Sequence, residues 1–512
     1  MIIQGHQITS ELNLKTHSVV VGSGAGGGVA AFHLAEAGVE TVVLEEGGYF
    51  QARDFTQRED EMIAKLYRSG GQQKTLDGMI SVLQGSAFGG TTLINTSDVT
   101  PIYPGVLEHW KKHFGIDEVT QEQLNESQKR VFEILQAERV PQPLINRNND
   151  IISTTAKKLG YKSVVFNHNR QNCVGSGYCT LGCSYDAKRG TNLSYLPQAS
   201  ELGADIYTDV RVDYVERLGA KKYRVHASVL ERGSRARRLP LTIDAERIVL
   251  AAGTIHTPSI LVRSGFGKGL PQLGKNLTLQ PQMLMGAFMD EPMTSWRGVP
   301  QAVYLDEFTE TGEDIGFGGF QLEGVGGVKG FLVGLLPAVG HEHKELMSQY
   351  PNMQLDVLIT PDRPTGKVTY KWLDDGTVMP QIDYHPTDAW KARLKRGMRT
   401  AGEFLFEAGA RKVFFGGNGF GTVASPDELK VVDDFRIEPG RASFFGTHLQ
   451  GTCRMGKTAE TSVVDQNLQV HNLENIFVLD GSVMPTSAAG HTMFPIMTMA
   501  DRAVHRMLEK KP

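Results

Sequence analysis

The chain has 512 residues, 40% hydrophobic and 21% charged, with a formal net charge of −4. That length exceeds one simple core, so two domains are expected. The missing basic excess excludes a general nucleic-acid binder, and four cysteines are too few for a disulfide-stapled secreted fold. No transmembrane segment is expected: the most apolar run, GFLVGLLPAVG (330–340), is short and interrupted by glycines and a proline. The N-terminal residues show no basic region ahead of an apolar run, so no secretory leader and a cytoplasmic location are expected.

The first element is the segment HSVVVGSGAGGGVAAFHLAEAG (17–38), which predicts strand, tight turn and helix. Gly22, Gly24 and Gly27 give the G-x-G-x-x-G spacing, and Gly38 can end the helix. TVVLEE follows as a second strand and carries Glu45, placed to accept from ribose hydroxyls. A helix N-terminus after a glycine turn holds a pyrophosphate. The acid disfavours a 2′-phosphate, which leaves FAD or NAD.

NCVGSGYCTLGC (172–183) holds Cys173, Cys179 and Cys183, three of the four cysteines. Their C-x5-C-x3-C spacing suits a zinc site poorly. From about 269 to 440 the pattern changes to short alternating apolar runs such as MQLDVLIT and GKVTYKW, ended by turn residues (PDRPTG, LDDG), which predict antiparallel strands. DAWKARLKRGMRTAGEFLFEAGA then predicts an amphipathic helix with a glycine stop. The apolar, glycine-rich stretch 316–340 reads as sheet with tight turns, or as a greasy wall of a pocket. His341 and His343, two apart, read as a solvated turn, and the methionines of the terminal helix as core packing.

Several segments resemble one family, the glucose–methanol–choline (GMC) oxidoreductases. GSAFGGTTLIN (85–95) resembles their flavin-facing loop, and GTIHTPSILVRSGFG (253–267) their second signature. GTHLQGTCRMG (446–456) and VLDGSVMPTSAAGHTMFPIMTMADRAV (478–504) resemble their catalytic C-terminal region. The departures are Ser86 and Phe266. Ile94 stands where some members attach FAD through a histidine, so the resemblance implies non-covalent FAD.

The resemblance implies an α/β fold: a Rossmann-like FAD-binding domain (1–268 and 441–512) with an inserted α+β substrate domain (269–440) on an antiparallel sheet. It assigns Gly22, Gly24 and Gly27 to the pyrophosphate and Glu45 to the adenosine ribose. Gly89, Gly90, Thr91 and Asn95 line the flavin and ribityl, and the Val212 backbone meets adenine. Asp480 and Gly481 return to the cofactor, and the amides of Thr492 and Met493 face the flavin pyrimidine.

Alcohol oxidation needs a base for the hydroxyl proton and a hydride acceptor at flavin N5. Among 15 histidines, the resemblance singles out His448 as base and His491 as its hydrogen-bonding partner. No metal ligand is assigned. The segments DAKRGTNLSYLPQA, GKNLTLQPQ and PDRPTGKVTY…DYHPTD look most like long-chain alcohol oxidases and related bacterial members. They imply a fatty, aryl or sterol alcohol as substrate, with dioxygen or another redox partner as acceptor. The alternative is a sugar dehydrogenase that passes electrons through an iron–sulfur cluster on the Cys-rich loop. Such loops begin with two adjacent cysteines, whereas here Asn172 precedes Cys173.

Overall fold

The computed structural model describes residues 1–309, 319–326, 329–334, 336, 338–373, 378–417 and 421–509. Parts of the glycine-rich stretch 316–340, and most of the LDDG turn, lie outside these residues. The helices used below are α1 (Ala25–Glu36), α2 (Gln121–Ile134), α3 (Asp388–Glu407) and α4 (Met493–Glu509).

A six-stranded parallel sheet runs in the order Ile2–Gln4, Asp205–Thr208, Thr41–Leu44, Ser18–Val21, Arg247–Leu250, Ile476–Val478. Its inner strands, SVVV and TVVL, are buried along their whole length. Continuous apolar β-branched runs of this kind belong to strands covered on both faces. One face is covered by α1, which packs on α4, itself packed on α2. The other meets a four-stranded sheet built from Val210–Gly219, Lys222–Leu230, Arg237–Ala245 and Leu12–Lys15.

A larger, mainly antiparallel sheet carries the strands Gln282–Phe288, Met353–Ile359 and Gln321–Gly324 at its centre. The register sets Leu284 against Val357 and Val357 against Glu323, so these three stand in a row on one face. Met283, Met285 and Leu358 turn to the opposite face and join the core with Trp390, Leu394, Met398 and Leu405 of α3. Thr387 caps α3 by accepting from the Trp390 amide at 3.2 Å. The run MQLDVLIT is thus a central strand. GKVTYKW pairs instead in a separate three-stranded sheet with Lys275–Leu277 and Val378–Asp383. His341 and His343 lie on a helix, Gly340–Ser348, rather than in a turn. The N-terminal half of that segment turns helical because nothing in HEHKEL breaks it.

The fold is α/β, a parallel Rossmann-like layer and an antiparallel sheet enclosing one cavity between them.

Candidate active site

The cavity, about 470 Å³, is walled by the loops that follow the parallel strands and by the Leu284–Val357 face of the antiparallel sheet. Crevices beyond the carboxyl ends of parallel strands are where such folds bind ligands. At one end lie Gly22, Ser23, Gly24, Ala25 and Gly26, with Gly90 and Thr91. Gly22 has φ +99°, and a Cβ there would meet the Ala251 carbonyl oxygen at 2.4 Å. The N-cap of α1 is Gly24, with no capping side chain and no acidic residue in the first turn. Its first amides therefore line the cavity without a protein acceptor, and they fit a pyrophosphate.

Glu45 is buried. Its carboxylate accepts from the Ser23 amide (2.9 Å), the Ser23 hydroxyl (2.6 Å) and the Gly47 amide (2.7 Å), and burial raises its pKa. Gly89 does not line the cavity; its amide donates to Ser23 Oγ at 2.9 Å and so fixes one loop on the other. Gly27 does not line it either. A Cβ there would lie 1.9 Å from the Gly22 carbonyl oxygen, so it serves close packing of helix on strand. Val212, Asp480, Gly481, Asn95, Thr492 and Met493 all reach the cavity. Asp480 accepts from the Gly253 amide at 2.9 Å and from Thr257 Oγ1 at 2.5 Å, tying two of the family-like segments together.

At the other end stand His448 and His491, both buried, with ring centroids 5.0 Å apart and the rings edge to face. The contact sets the edge of one ring against the face of the other rather than making the hydrogen bond expected from the sequence. Each histidine has its own polar partners. His448 Nδ1 lies 3.1 Å from Gln280 Oε1 and 3.1 Å from Gln282 Nε2, which is also 3.4 Å from His448 Nε2. A proton on Nδ1 satisfies Gln280 Oε1 and makes Nε2 the acceptor nitrogen of the ring, with the Gln282 amide beside it. His491 Nε2 donates to Glu323 Oε2 at 3.0 Å, and its Nδ1 is 3.9 Å from Asp98 Oδ2.

Burial and neighbouring charge set the two rings' pKa values on opposite sides of the ordinary histidine value. Burial, and then the neighbouring His491 charge, hold His448 well below the ordinary histidine value. Burial also opposes charge on His491, but the carboxylates of Glu323 and Asp98 overcome it and raise the ring to about 9. Asp98, pushed up by its own burial to about 6, still ionises at neutral pH. The arrangement is a neutral imidazole beside an imidazolium held by two buried carboxylates.

Sequence reasoning missed Glu323, Asp98, Gln280 and Gln282. No motif marks them, because pairing across the sheet and the fold of the loop bring them to the histidines. It also missed Lys188 and Arg170, both almost wholly buried. Lys188 Nζ donates to the carbonyls of Leu93 (2.5 Å), Asn95 (2.9 Å) and Cys179 (2.5 Å), and burial lowers its pKa to about 8. Arg170 donates to the Thr96 carbonyl. The two cations clamp the 93–96 loop that leads to Asp98. His256 stands at the start of the Thr257–Arg263 helix and also lines the cavity.

The Cys-rich segment runs past this clamp. Among the described residues its thiols do not gather into a group of metal-ligand atoms, and all are free. Its glycines serve close contacts: a Cβ on Gly177 would meet the Trp296 carbonyl oxygen at 2.1 Å.

Family models described as GMC oxidoreductase match residues 63–282 and 362–500. The chain belongs to the GMC oxidoreductase family. It is an FAD-dependent alcohol oxidoreductase. An uncharacterised GMC-type oxidoreductase of Mycobacterium tuberculosis is 31% identical over 95% of this chain and 75% of its own. The long-chain-alcohol oxidase FAO4B of Arabidopsis thaliana is 29% identical over 95% of this chain and 66% of its own. Among solved structures, pyridoxine 4-oxidase of Mesorbium loti shares the fold with a TM-score of 0.69 at 17% identity, covering 97% of this chain and all of that one. No helix among the described residues is long and apolar enough to cross a membrane.

Proposed function

We propose that the protein oxidises a bulky apolar alcohol to the aldehyde or ketone, with His448 as base. The observation that carries this reading is the histidine pair. A neutral imidazole and a carboxylate-held imidazolium face one cavity, which runs on to the FAD cradle.

His448 Nε2 takes the hydroxyl proton, and Gln280 steadies the ring through Nδ1. His491 stays charged and supports the alkoxide that develops beside it, as a fixed charge held by buried carboxylates. FAD, when bound, would supply the hydride acceptor for the carbinol carbon. Residues 22–24, 45, 89–91, 95, 212, 480, 481, 492 and 493 hold the cofactor, with Gly27 and Gly89 acting through the packing of their loops. The amides of Thr492 and Met493, at the start of α4, offer a positive helix end to the flavin. We also divide the chain into an FAD-binding unit (1–268 with 441–512) and a substrate-binding unit (269–440).

Leu284, Leu355, Val357, Leu332 and Phe445 line the cavity beside His448. That wall suits a fatty, aryl or sterol alcohol and gives a sugar few partners. Relatives that bear the name long-chain-alcohol oxidase point the same way, and to dioxygen as acceptor. An anaerobic panel of fatty, aryl, sterol and sugar alcohols tests the reading: apolar alcohols bleach the flavin, and oxygen is consumed when air is admitted. A flavin that no alcohol reduces, or that only sugars reduce, overturns it.

A further inference from the structure

Away from the cavity, one set of side chains converges as metal ligands do. Among the described residues, His33, Asp501 and His505 are the group whose ligand atoms all lie within 4.8 Å of one another. Asp501 and His505 are four apart on α4 and share one face of it. His33 projects from α1, which packs against α4. His33 Nε2 is 3.1 Å from Asp501 Oδ2, and His505 Nε2 is 3.7 Å from the same oxygen. Asp501 is fully buried and His33 nearly so. His505 Nε2 is shielded from solvent and has no hydrogen-bond partner.

We propose that His33 Nε2, His505 Nε2 and Asp501 Oδ2 form a site for a divalent first-row transition ion such as zinc. Two imidazole nitrogens and one carboxylate oxygen are a donor set zinc prefers. With bonds of about 2.0–2.1 Å, ligand atoms around a tetrahedral ion stand roughly 3.4 Å apart. The 3.1 and 3.7 Å spacings here lie on either side of that value.

Supporting groups are also in place. His33 Nδ1 faces Glu36 Oε2 at 3.1 Å, the carboxylate–histidine contact that turns the other ring nitrogen toward an ion. Arg130 holds Asp501 mainly through Oδ1, at 2.5 Å from Nη2 and 3.1 Å from Nε, with a longer 3.3 Å approach to Oδ2. Oδ2 is held chiefly by His33 Nε2, the contact an ion would take over. The outer part of the His505 side chain is exposed while its Nε2 is shielded, so three protein ligands are in place and the fourth position of a tetrahedral ion is left to a water. The ion replaces the proton that His33 Nε2 and Asp501 Oδ2 share, and that proton leaves to solvent.

Such an ion staples α1 to α4, with α2 joined through Arg130. The N-termini of α1 and α4 both line the cofactor cavity. The site is a structural brace between these helix ends, separate from the oxidation chemistry.

The test uses the full-length FAD-loaded protein, stripped with a chelator and titrated with zinc chloride by calorimetry and thermal melting. One equivalent binds, and Tm rises. His505→Ala, at a partly exposed position, weakens binding by ~100-fold or more and removes the Tm response. Glu36→Gln, at an exposed position, weakens it by ~10- to 100-fold at unchanged stoichiometry. Cobalt chloride gives tetrahedral absorption bands in the wild type and none in His505→Ala. Absence of zinc binding at micromolar concentrations overturns the proposal, and so does equal binding by wild type and both variants.

Discussion

The glycine cradle and the histidine chamber, to which we assign cofactor and substrate, are two ends of one cavity, made of different material. The cradle is mostly backbone: amides at the start of α1, crossed closely by the 89–91 loop, with Ser23 and Glu45 as the main polar side chains between them. The chamber is side chains: Asp98, Gln280, Gln282, Glu323, His448 and His491, drawn from separate parts of the chain. A backbone site tolerates many side chains but no added volume at its glycines. A side-chain site keeps its shape under substitution and loses its charge balance. The two ends should therefore break in different ways.

The sharpest contrast comes from His448→Ala and Gly27→Val. His448→Ala should retain FAD yet slow flavin reduction by alcohol about 10²- to 10⁴-fold in anaerobic stopped flow, the range of a general base. Gly27→Val forces a side chain into the Gly22 carbonyl. It should yield protein without flavin, or no folded protein, read from the absorbance of the purified chain. An FAD-free His448→Ala protein would blur the comparison.

A smaller effect is expected at Glu323. Glu323→Gln keeps the shape but removes one of the two carboxylates that raise His491. The His491 pKa should fall by roughly 1–3 units, so the alkaline limb of the reduction rate moves to lower pH. Asp98→Asn should do the same to a lesser degree, since its carboxylate stands 3.9 Å away rather than 3.0 Å. Stability follows the same sign. The raised His491 contributes fully below its unfolded value of 6.5, and the contribution is lost as pH rises through about 9. Thermal melts across pH 6–10 on wild type and Glu323→Gln measure that loss, and the variant should melt lower at neutral pH.

The smallest effect is at the wall. Val357→Thr adds a hydroxyl to the apolar face at nearly constant volume. It should raise KM for a long-chain alcohol several-fold, about 1 kcal/mol of binding, with little change in kcat. An unchanged KM would separate the substrate from this face of the sheet.

The same difference in material explains what the sequence discloses. Gly22, Gly24 and Glu45 are legible because a backbone cradle needs glycines at fixed spacing along one segment. His448 and His491 are legible only through resemblance, since nothing local distinguishes them from the other histidines. Glu323 is invisible: it sits in GFQLEGVG, and only the register Leu284–Val357–Glu323 carries it to His491. Lys188 and Arg170 carry no signal in the sequence, and their burial comes from the loop carbonyls that surround them. The cysteines attract attention by crowding along the chain, yet their thiols do not gather into a ligand group among the described residues. His33, Asp501 and His505 gather from opposite ends of the chain and leave no local trace.

The central claim is that a neutral His448 works beside an imidazolium held by Glu323. The most direct test is the pH profile of anaerobic flavin reduction by a long-chain alcohol, in wild type and Glu323→Gln. The account predicts a plateau through neutral pH, a fall as pH rises through about 9, and a fall at lower pH in the variant. Superimposable profiles, or a flavin that the alcohol never reduces, would contradict it.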